Sequence, residues 1–442
     1  MAITVGMISL GCPKNQIDAE IMLADLKKMG FELVGDAALA EVCIINTCGF
    51  IESAKRESIE QILEMGLLKN EGRIKKIVVT GCLAERYKEE IAKEIPEADI
   101  ILGIGSNSEL GDAILKSFED DKRYTSFDEK EKLCLDGDRV LTTLPFYAYI
   151  KIAEGCDNNC TYCAIPSIRG RFRSRRMEDI VSEAKSLAKS GVKELVVVAQ
   201  DTTRYGIDLY NKPSLAELLE RLNEIEELKW IRVLYAYPEM VTDELIDAMA
   251  RLPKVVKYLD LPIQHCSRNV LKRMNRRGDS ESLINLINKM RDKIPNLILR
   301  TTLIAGFPGE SEEDFCELCE FVKKARFDRL GCFSYSREEG TPAAEFDDQI
   351  DEDVKERRAE IIMTIQSRIA EELNEKMVGK TLEVVVEGFD KYGEIYFGRS
   401  VNDAPDIDGK IFFSAKGKRI GDFLNVKITE AMDYDLLGEE AN

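Results

Sequence analysis

Three cysteines on one short loop carry the clearest chemistry in the sequence. Residues 155–163 read Gly-Cys-Asp-Asn-Asn-Cys-Thr-Tyr-Cys, which puts Cys156, Cys160 and Cys163 in a C-x3-C-x2-C spacing just past an apolar run at 146–152. Three thiolates are one short of the set that encloses a four-iron cluster, so one iron would stay open to a small molecule. Zinc is the alternative occupant, but it needs a fourth ligand. The nearest candidate, Cys134, lies in a charged and poorly patterned stretch.

A second trio is scattered in the chain but alike in setting. Cys12 follows "MISLG", Cys48 follows "CIINT" and Cys82 follows "KIVVTG", each just past an apolar, strand-like run. Parallel strands end on one edge of a sheet, the edge where open α/β sheets hold their ligands. One cysteine at a strand end is ordinary packing; three at equivalent ends predict a second three-cysteine iron–sulfur site. The glycines beside them, Gly11, Gly49 and Gly81, would let backbone come close to a bulky cluster. Cys43 lies inside a strand and reads as core. Cys266, Cys316, Cys319 and Cys332 read as packing, although Cys316 and Cys319 form a C-x2-C within a predicted helix.

The elements that must position these groups follow from periodicity. Strands at 3–10, 41–47 and 75–80 alternate with helices at 18–29, 52–68 and 85–95, a βαβ series with a mostly parallel sheet. Between 103 and 143 the pattern weakens into a charged surface connection. Six further strands, at 148–153, 194–199, 231–235, 258–261, 297–304 and 329–335, alternate with helices and fit a partial or full β/α barrel. The Cys156 loop, Gln200 and Asp201, and Gly306 within "GFPGE" each follow one of these strands and should share one mouth. A helix at 354–377 carries Ile361, Ile365, Ile369 and Leu373 as a docking stripe. Short β-rich runs after 379 predict a small OB-like barrel. The expected units are 1–140, 141–376 and 377–442.

Composition excludes several classes. Lys and Arg number 62 against 81 Asp and Glu, a formal charge of −19, which repels phosphate backbones and suits a cationic protein partner. The single histidine, His265, excludes multi-histidine catalytic zinc sites. Twelve cysteines in such a chain read as reduced thiols for metal or redox chemistry. No apolar run is long enough to span a membrane, and a cytoplasmic location is expected. His265 admits two readings, a bond to substrate or cofactor, or a structural role. The run Arg169, Arg171, Arg173, Arg175 and Arg176 likewise fits RNA or ribosome binding, or a solvated face paired with carboxylates.

With both trios placed, the chain resembles the methylthiotransferases, a radical S-adenosylmethionine family with two four-iron clusters and a C-terminal TRAM module. The resemblance spans essentially the whole chain, through "SLGCPKN", "NTCGF", "GCLAERY", "GCDNNCTYCAIPSIRGRFRSR", "LPIQH", "GFPGE" and "EEGTPA". It implies that Cys12, Cys48 and Cys82 hold an auxiliary [4Fe-4S] cluster and that Cys156, Cys160 and Cys163 hold the radical-generating one. Tyr162 matches the aromatic residue this family favours before the third cysteine, and Tyr162, Gln200, Asp201 and Gly306 become the candidate S-adenosylmethionine contacts.

"SLGCPKNQIDAE" is similar to the branch that modifies a ribosomal protein, with Gln16 a departure where an apolar residue is more usual. That branch implies methylthiolation of an aspartate β-carbon in ribosomal protein S-twelve; a tRNA adenosine is the alternative substrate. A flavodoxin or ferredoxin is the implied electron donor. The segment from 377 has eight basic against thirteen acidic side chains, a poor footprint for stable RNA binding. Asp403, Asp406 and Asp408 are therefore expected to meet the basic ribosomal protein.

Overall fold

The computed structural model describes residues 2–120 and 122–441. The N-terminal part is a parallel six-stranded sheet: β1 (Thr4–Ser9), β2 (Glu32–Leu33), β3 (Val42–Thr47), β4 (Lys76–Gly81), β5 (Ile100–Leu102) and β6 (Tyr124–Ser126), in the order β2-β1-β3-β4-β5-β6. The apolar runs of β3 and β4 are buried throughout, as expected for strands covered on both faces. The helix after β1 spans Pro13–Lys28 and begins five residues earlier than its apolar spacing suggests. Cys12 is its N-cap and Pro13, with its fixed φ, opens the first turn. The stretch taken for a surface connection contains the helix Leu110–Glu119 and the edge strand β6, whose three residues are too short to show a period.

The central part begins with β7 (Tyr147–Lys151), passes through a small hairpin of β8 (Ala153–Glu154) and β9 (Arg173–Ser174), and continues with β10 (Glu194–Val198), β11 (Trp230–Val233), β12 (Val255–Asp260), β13 (Ile298–Ala305) and β14 (Arg329–Ser334). The six long strands are parallel and pair in the order β14-β13-β12-β11-β10-β7, so the barrel is partial. Ile17 and Ile21 of the first helix pack with Tyr149, Val196, Val198 and Leu234, so the N-terminal part helps to fill the barrel core.

Five strands, β15 (Thr381–Asp390), β16 (Ile395–Ser400), β17 (Ile411–Ser414), β18 (Phe423–Ala431) and β19 (Leu436–Glu440), close as β15-β16-β17-β19-β18. Only β17 and β19 pair in parallel. The preceding helix, Glu352–Glu375, docks on a face slightly rotated from the expected stripe. Ile362 and Ile369 are buried, Ile365 and Leu373 are partly covered, and Ile361 is exposed. The face includes buried Lys355 and Arg358, which lie over the polar loop after β13, and buried Gln366, which donates to the Phe327 carbonyl just before β14.

The small barrel packs on the N-terminal ends of the central strands. Arg399 pairs with Glu194, the first residue of β10, and Trp230, the first residue of β11, meets Phe423 edge-on at 4.9 Å. Asp403 binds Arg329 at 2.7 Å, Asp406 accepts from the Tyr147 hydroxyl at 2.8 Å, and Asp408 accepts from that of Tyr258 at 2.6 Å. The three acids expected to meet a basic partner are instead bonded to the central part. Their charge was legible in the sequence; the direction in which barrel closure turns them was not.

Candidate active site

The expected cysteines sit past the C-terminal ends of strands on two facing sheets. Cys12 caps one helix, Cys48 follows β3, and Cys82 opens the helix Cys82–Glu94 directly after β4. The adjoining glycines let these loops press on one another. A Cβ on Gly11 (φ +88°) would stand 2.8 Å from the Cys48 sulfur, and one on Gly49 would stand 2.7 Å from the Leu83 backbone. Close approach therefore serves neighbouring strand ends, a need the expectation of glycine against cluster had not included.

Burial raises the Cys48 thiol, with Cys12 adding to the rise, and pushes Cys82 up to about 12, where Cys12 and Cys48 both act in the same direction. Burial likewise pushes Cys156 up to about 11 and raises Cys163, with Cys160 acting on both. A metal would take these groups as thiolates and release their protons. Among the described residues, no three His, Cys, Asp or Glu side chains close on a single ion. Each trio suits a wider body, since an iron–sulfur cluster takes each thiolate at a different iron. Cys134 is exposed, its thiol on the Asp136 carbonyl.

The Cys156 loop is stapled in place. Thr161 donates to the carbonyls of Met274 and Arg273, and Ala343 donates back to Thr161 at 2.9 Å. The Cys160 sulfur lies 3.2 Å from the Tyr237 hydroxyl, and Arg276 covers the Tyr237 ring at 3.8 Å. Asp201 accepts from Asn158 at 2.9 Å and from Thr203 at 2.6 Å, and burial raises its pKa. Tyr162 packs with Phe307 and Tyr335 of the loops after β13 and β14. The amide of Gly306 (φ +72°) donates to Glu310 at 2.9 Å, and Lys355 stands behind it. Gln200 turns toward the other trio, its amide 2.6 Å from Glu154.

A buried charge network joins the two sheets. Arg169 donates to the Cys82 sulfur at 3.1 Å, to Asn15 at 3.0 Å, to Asp18 at 2.5 Å and to Glu154 at 3.3 Å. Lys151 binds the same two carboxylates at 2.5 and 2.7 Å. Burial would raise Glu154, but Lys151 and Arg169 outweigh it and hold the pKa down at about 2. Cys82 also packs on Ala164 and Ile168, so the two trios adjoin across this seam. The arginine run thus divides. Arg169 and Arg175 are buried and structural, while Arg171 and Arg176 are surface groups on Asp157 and Asp179.

The model of the Radical SAM superfamily matches residues 150–322, that of "Uncharacterized protein family UPF0004" matches 4–103, and that of the TRAM domain matches 378–440. The chain is 51% identical over 437 residues to the ribosomal protein uS12 methylthiotransferase RimO of Clostridioides difficile (strain 630), covering 98% of each chain. It is 52% identical over 441 residues to the enzyme of that name from Pelotomaculum thermopropionicum, covering 99% of each. The chain belongs to the RimO family. Among solved structures, the radical S-adenosylmethionine methyltransferase TsrM from Kitasatospora setae shares the fold, with a TM-score of 0.59 at 12% identity over 86% of this chain and 79% of that one.

The structure draws attention to Lys14 and Tyr235, which sequence reasoning passed over. Lys14 is 7% exposed, and its ammonium lies 3.3 Å from the centroid of the Tyr235 ring. A desolvated cation–π contact contributes about 2 kcal/mol, whereas burying an ammonium costs several kcal/mol. Tyr235 sits past β11 at φ +61°, a left-handed conformation rare for an aromatic residue. His265 is fully buried, its Nδ1 accepting from the Ser267 amide at 3.0 Å and its Nε2 3.5 Å from Glu310. Cys266 is buried, and Cys319 and Cys332 are partly covered by the core, but Cys316 is exposed, against the expectation that all four pack inside.

Proposed function

We propose that the chain replaces a hydrogen on the β-carbon of an aspartate in ribosomal protein uS12 with a methylthio group, giving 3-methylthioaspartate. It does so as a radical S-adenosylmethionine transferase with two [4Fe-4S] clusters. The observation that carries this reading is the pairing of two open thiol trios across one seam, with Arg169 on Cys82. An aspartate β-C–H bond beside an ionised carboxylate is too weak an acid for a general base, so a hydrogen-atom route is required. Cys156, Cys160 and Cys163 hold one cluster, and Cys12, Cys48 and Cys82 hold the other. Bound there, the clusters would relay an electron from the external donor and hold the sulfur to be inserted, and S-adenosylmethionine would supply the radical and the methyl group.

The chain's own work is positioning and exclusion of water. Tyr162 stiffens the cysteine loop through its packing on Phe307. Asp201, fixed by Asn158 and Thr203, presents a carboxylate beside Cys156, where it suits the amine or ribose of the cofactor. Gln200, bonded to Glu154, stands at the seam. The Gly306 amide is already used by Glu310, so its contribution is space and loop shape.

The functional units are 1–140, 141–376 and 377–442. The location is cytoplasmic, where the ribosomal substrate and a flavodoxin or ferredoxin donor are found; no described helix is long and apolar enough to cross a membrane. The acidic small barrel argues against stable nucleic-acid binding, and the relatives' names do not favour a tRNA substrate. Mass spectrometry of uS12 and of bulk tRNA from a strain lacking the gene tests the assignment. Loss of the methylthio mass from uS12 alone is expected; loss from tRNA alone would overturn it.

A further inference from the structure

We propose that Lys14, backed by the Tyr235 ring, anchors the carboxylate of the substrate aspartate; this rests on the uS12 aspartate reading above. Among the described residues, every other buried lysine or arginine reaches a carboxylate within 4.0 Å. Lys14 reaches none at that distance. Burial opposes its charge, while Tyr235, Cys12 and Glu154 favour it, the carboxylate of Glu154 from beyond that distance. A buried ammonium with an aromatic ring as its close partner lacks a counter-anion, and an aspartate side chain is one.

The surroundings agree. Cys12 and Tyr235, the groups that act on the ammonium, are each partly exposed, so its surroundings are open to solvent on one side. Lys14 stands two residues from Cys12, and its ring partner leaves the C-terminal end of β11, on the mouth that also carries the Cys156 loop. A carboxylate bound here would lie on the Cys12 side of this mouth. The left-handed backbone of Tyr235 is fixed by two groups. Its amide donates to Asp260 at 3.0 Å, and its carbonyl accepts from the Thr202 amide at 3.0 Å. Strain held in this way is characteristic of ligand-clamping residues. The competing role is neutralisation of the Cys12 thiolate, and the two roles differ in what they do to substrate choice.

The test uses the full chain with reconstituted clusters and recombinant uS12, carrying either the target aspartate or asparagine at that position. The wild-type chain should bind the aspartate form roughly tenfold to a hundredfold more tightly, the range for a hydrogen bond to a charged group. Lys14→Met should abolish this preference by weakening the aspartate form alone, and Lys14→Arg should retain most of it. Iron content and the cluster's electron paramagnetic resonance signal report whether the variants still load. If Lys14→Met does not load, Lys14→Gln, uncharged but still a donor, is read the same way. Equal weakening of both forms, or an intact preference in the uncharged variant, would overturn the anchor and leave Lys14 to the cluster. A wild-type chain that binds and modifies neither form would instead overturn the substrate assignment.

Discussion

The guanidinium of Arg169 donates to the Cys82 sulfur at 3.1 Å, although the two residues lie 87 positions apart, one ending a short helix of the central part and the other opening a helix of the N-terminal part. The same group binds Asp18 and Glu154, so one side chain holds the N-terminal part, the central barrel and the Cys82 thiol together. Arg169→Met should leave Lys151 as the one cation within ion-pair distance of Asp18 and Glu154 among the described residues and lower stability by about 3–5 kcal/mol. Arg169→Lys should recover part of this, since a lysine supplies charge without the fork. Urea denaturation with iron analysis of the reconstituted variants measures both effects.

The two trios should report independently in iron content. The wild-type chain should hold about eight irons after anaerobic reconstitution, from two four-iron clusters. Replacing Cys156, Cys160 and Cys163 with Ala should halve this and abolish cleavage of S-adenosylmethionine. The same change at Cys12, Cys48 and Cys82 should also halve it while leaving uncoupled cleavage detectable. Full iron in the second variant would show that the strand-end cysteines do not hold a cluster.

Docking of the small barrel should depend on pH through Glu194. Burial would raise its pKa, but Arg399 and Arg232 outweigh that and hold it below its ordinary value of 4.5. A carboxylate lowered in the folded state contributes stability that is complete above the unfolded value and lost as pH falls through the folded one. Thermal melts should therefore be flat from neutral pH to about 5 and fall below 4.5 in the wild type. Glu194→Gln should start less stable and lose less between those conditions, as followed by Trp230 fluorescence.

Asp403→Asn should weaken this same docking by about 1.5–3 kcal/mol, the worth of a hydrogen bond to a charged group. Its partner is Arg329 of β14, on the opposite end of the strands from the cysteine loop. Affinity for uS12 should not change. A loss of uS12 binding with unchanged melting would return this residue to a substrate-facing role.

What the sequence disclosed and what it hid divide along physical lines. The strand-end positions of Cys12, Cys48 and Cys82 were legible because strand-like runs and adjoining glycines mark the ends of parallel strands. The long strands of both sheets were legible for the same reason. The strands β2, β5 and β6 were not, since two or three residues carry no period. The roles of Lys14, Arg169 and Asp403 were hidden because each depends on partners far away in the chain. Nothing in "CPKN" announces that its lysine will be buried against Tyr235. The docking helix shows the limit of a spacing argument: Ile361 and Ile362 are adjacent, and only the packed structure decides that the second faces inward.

The central claim, hydrogen-atom removal from an aspartate β-carbon, is tested most directly with uS12 deuterated at that carbon. After incubation with the reconstituted chain, S-adenosylmethionine and a reductant, the 5′-deoxyadenosine released is examined by mass spectrometry. Deuterium should appear in it, in step with methylthio-modified uS12. Modified uS12 accompanied by 5′-deoxyadenosine free of deuterium would contradict the account.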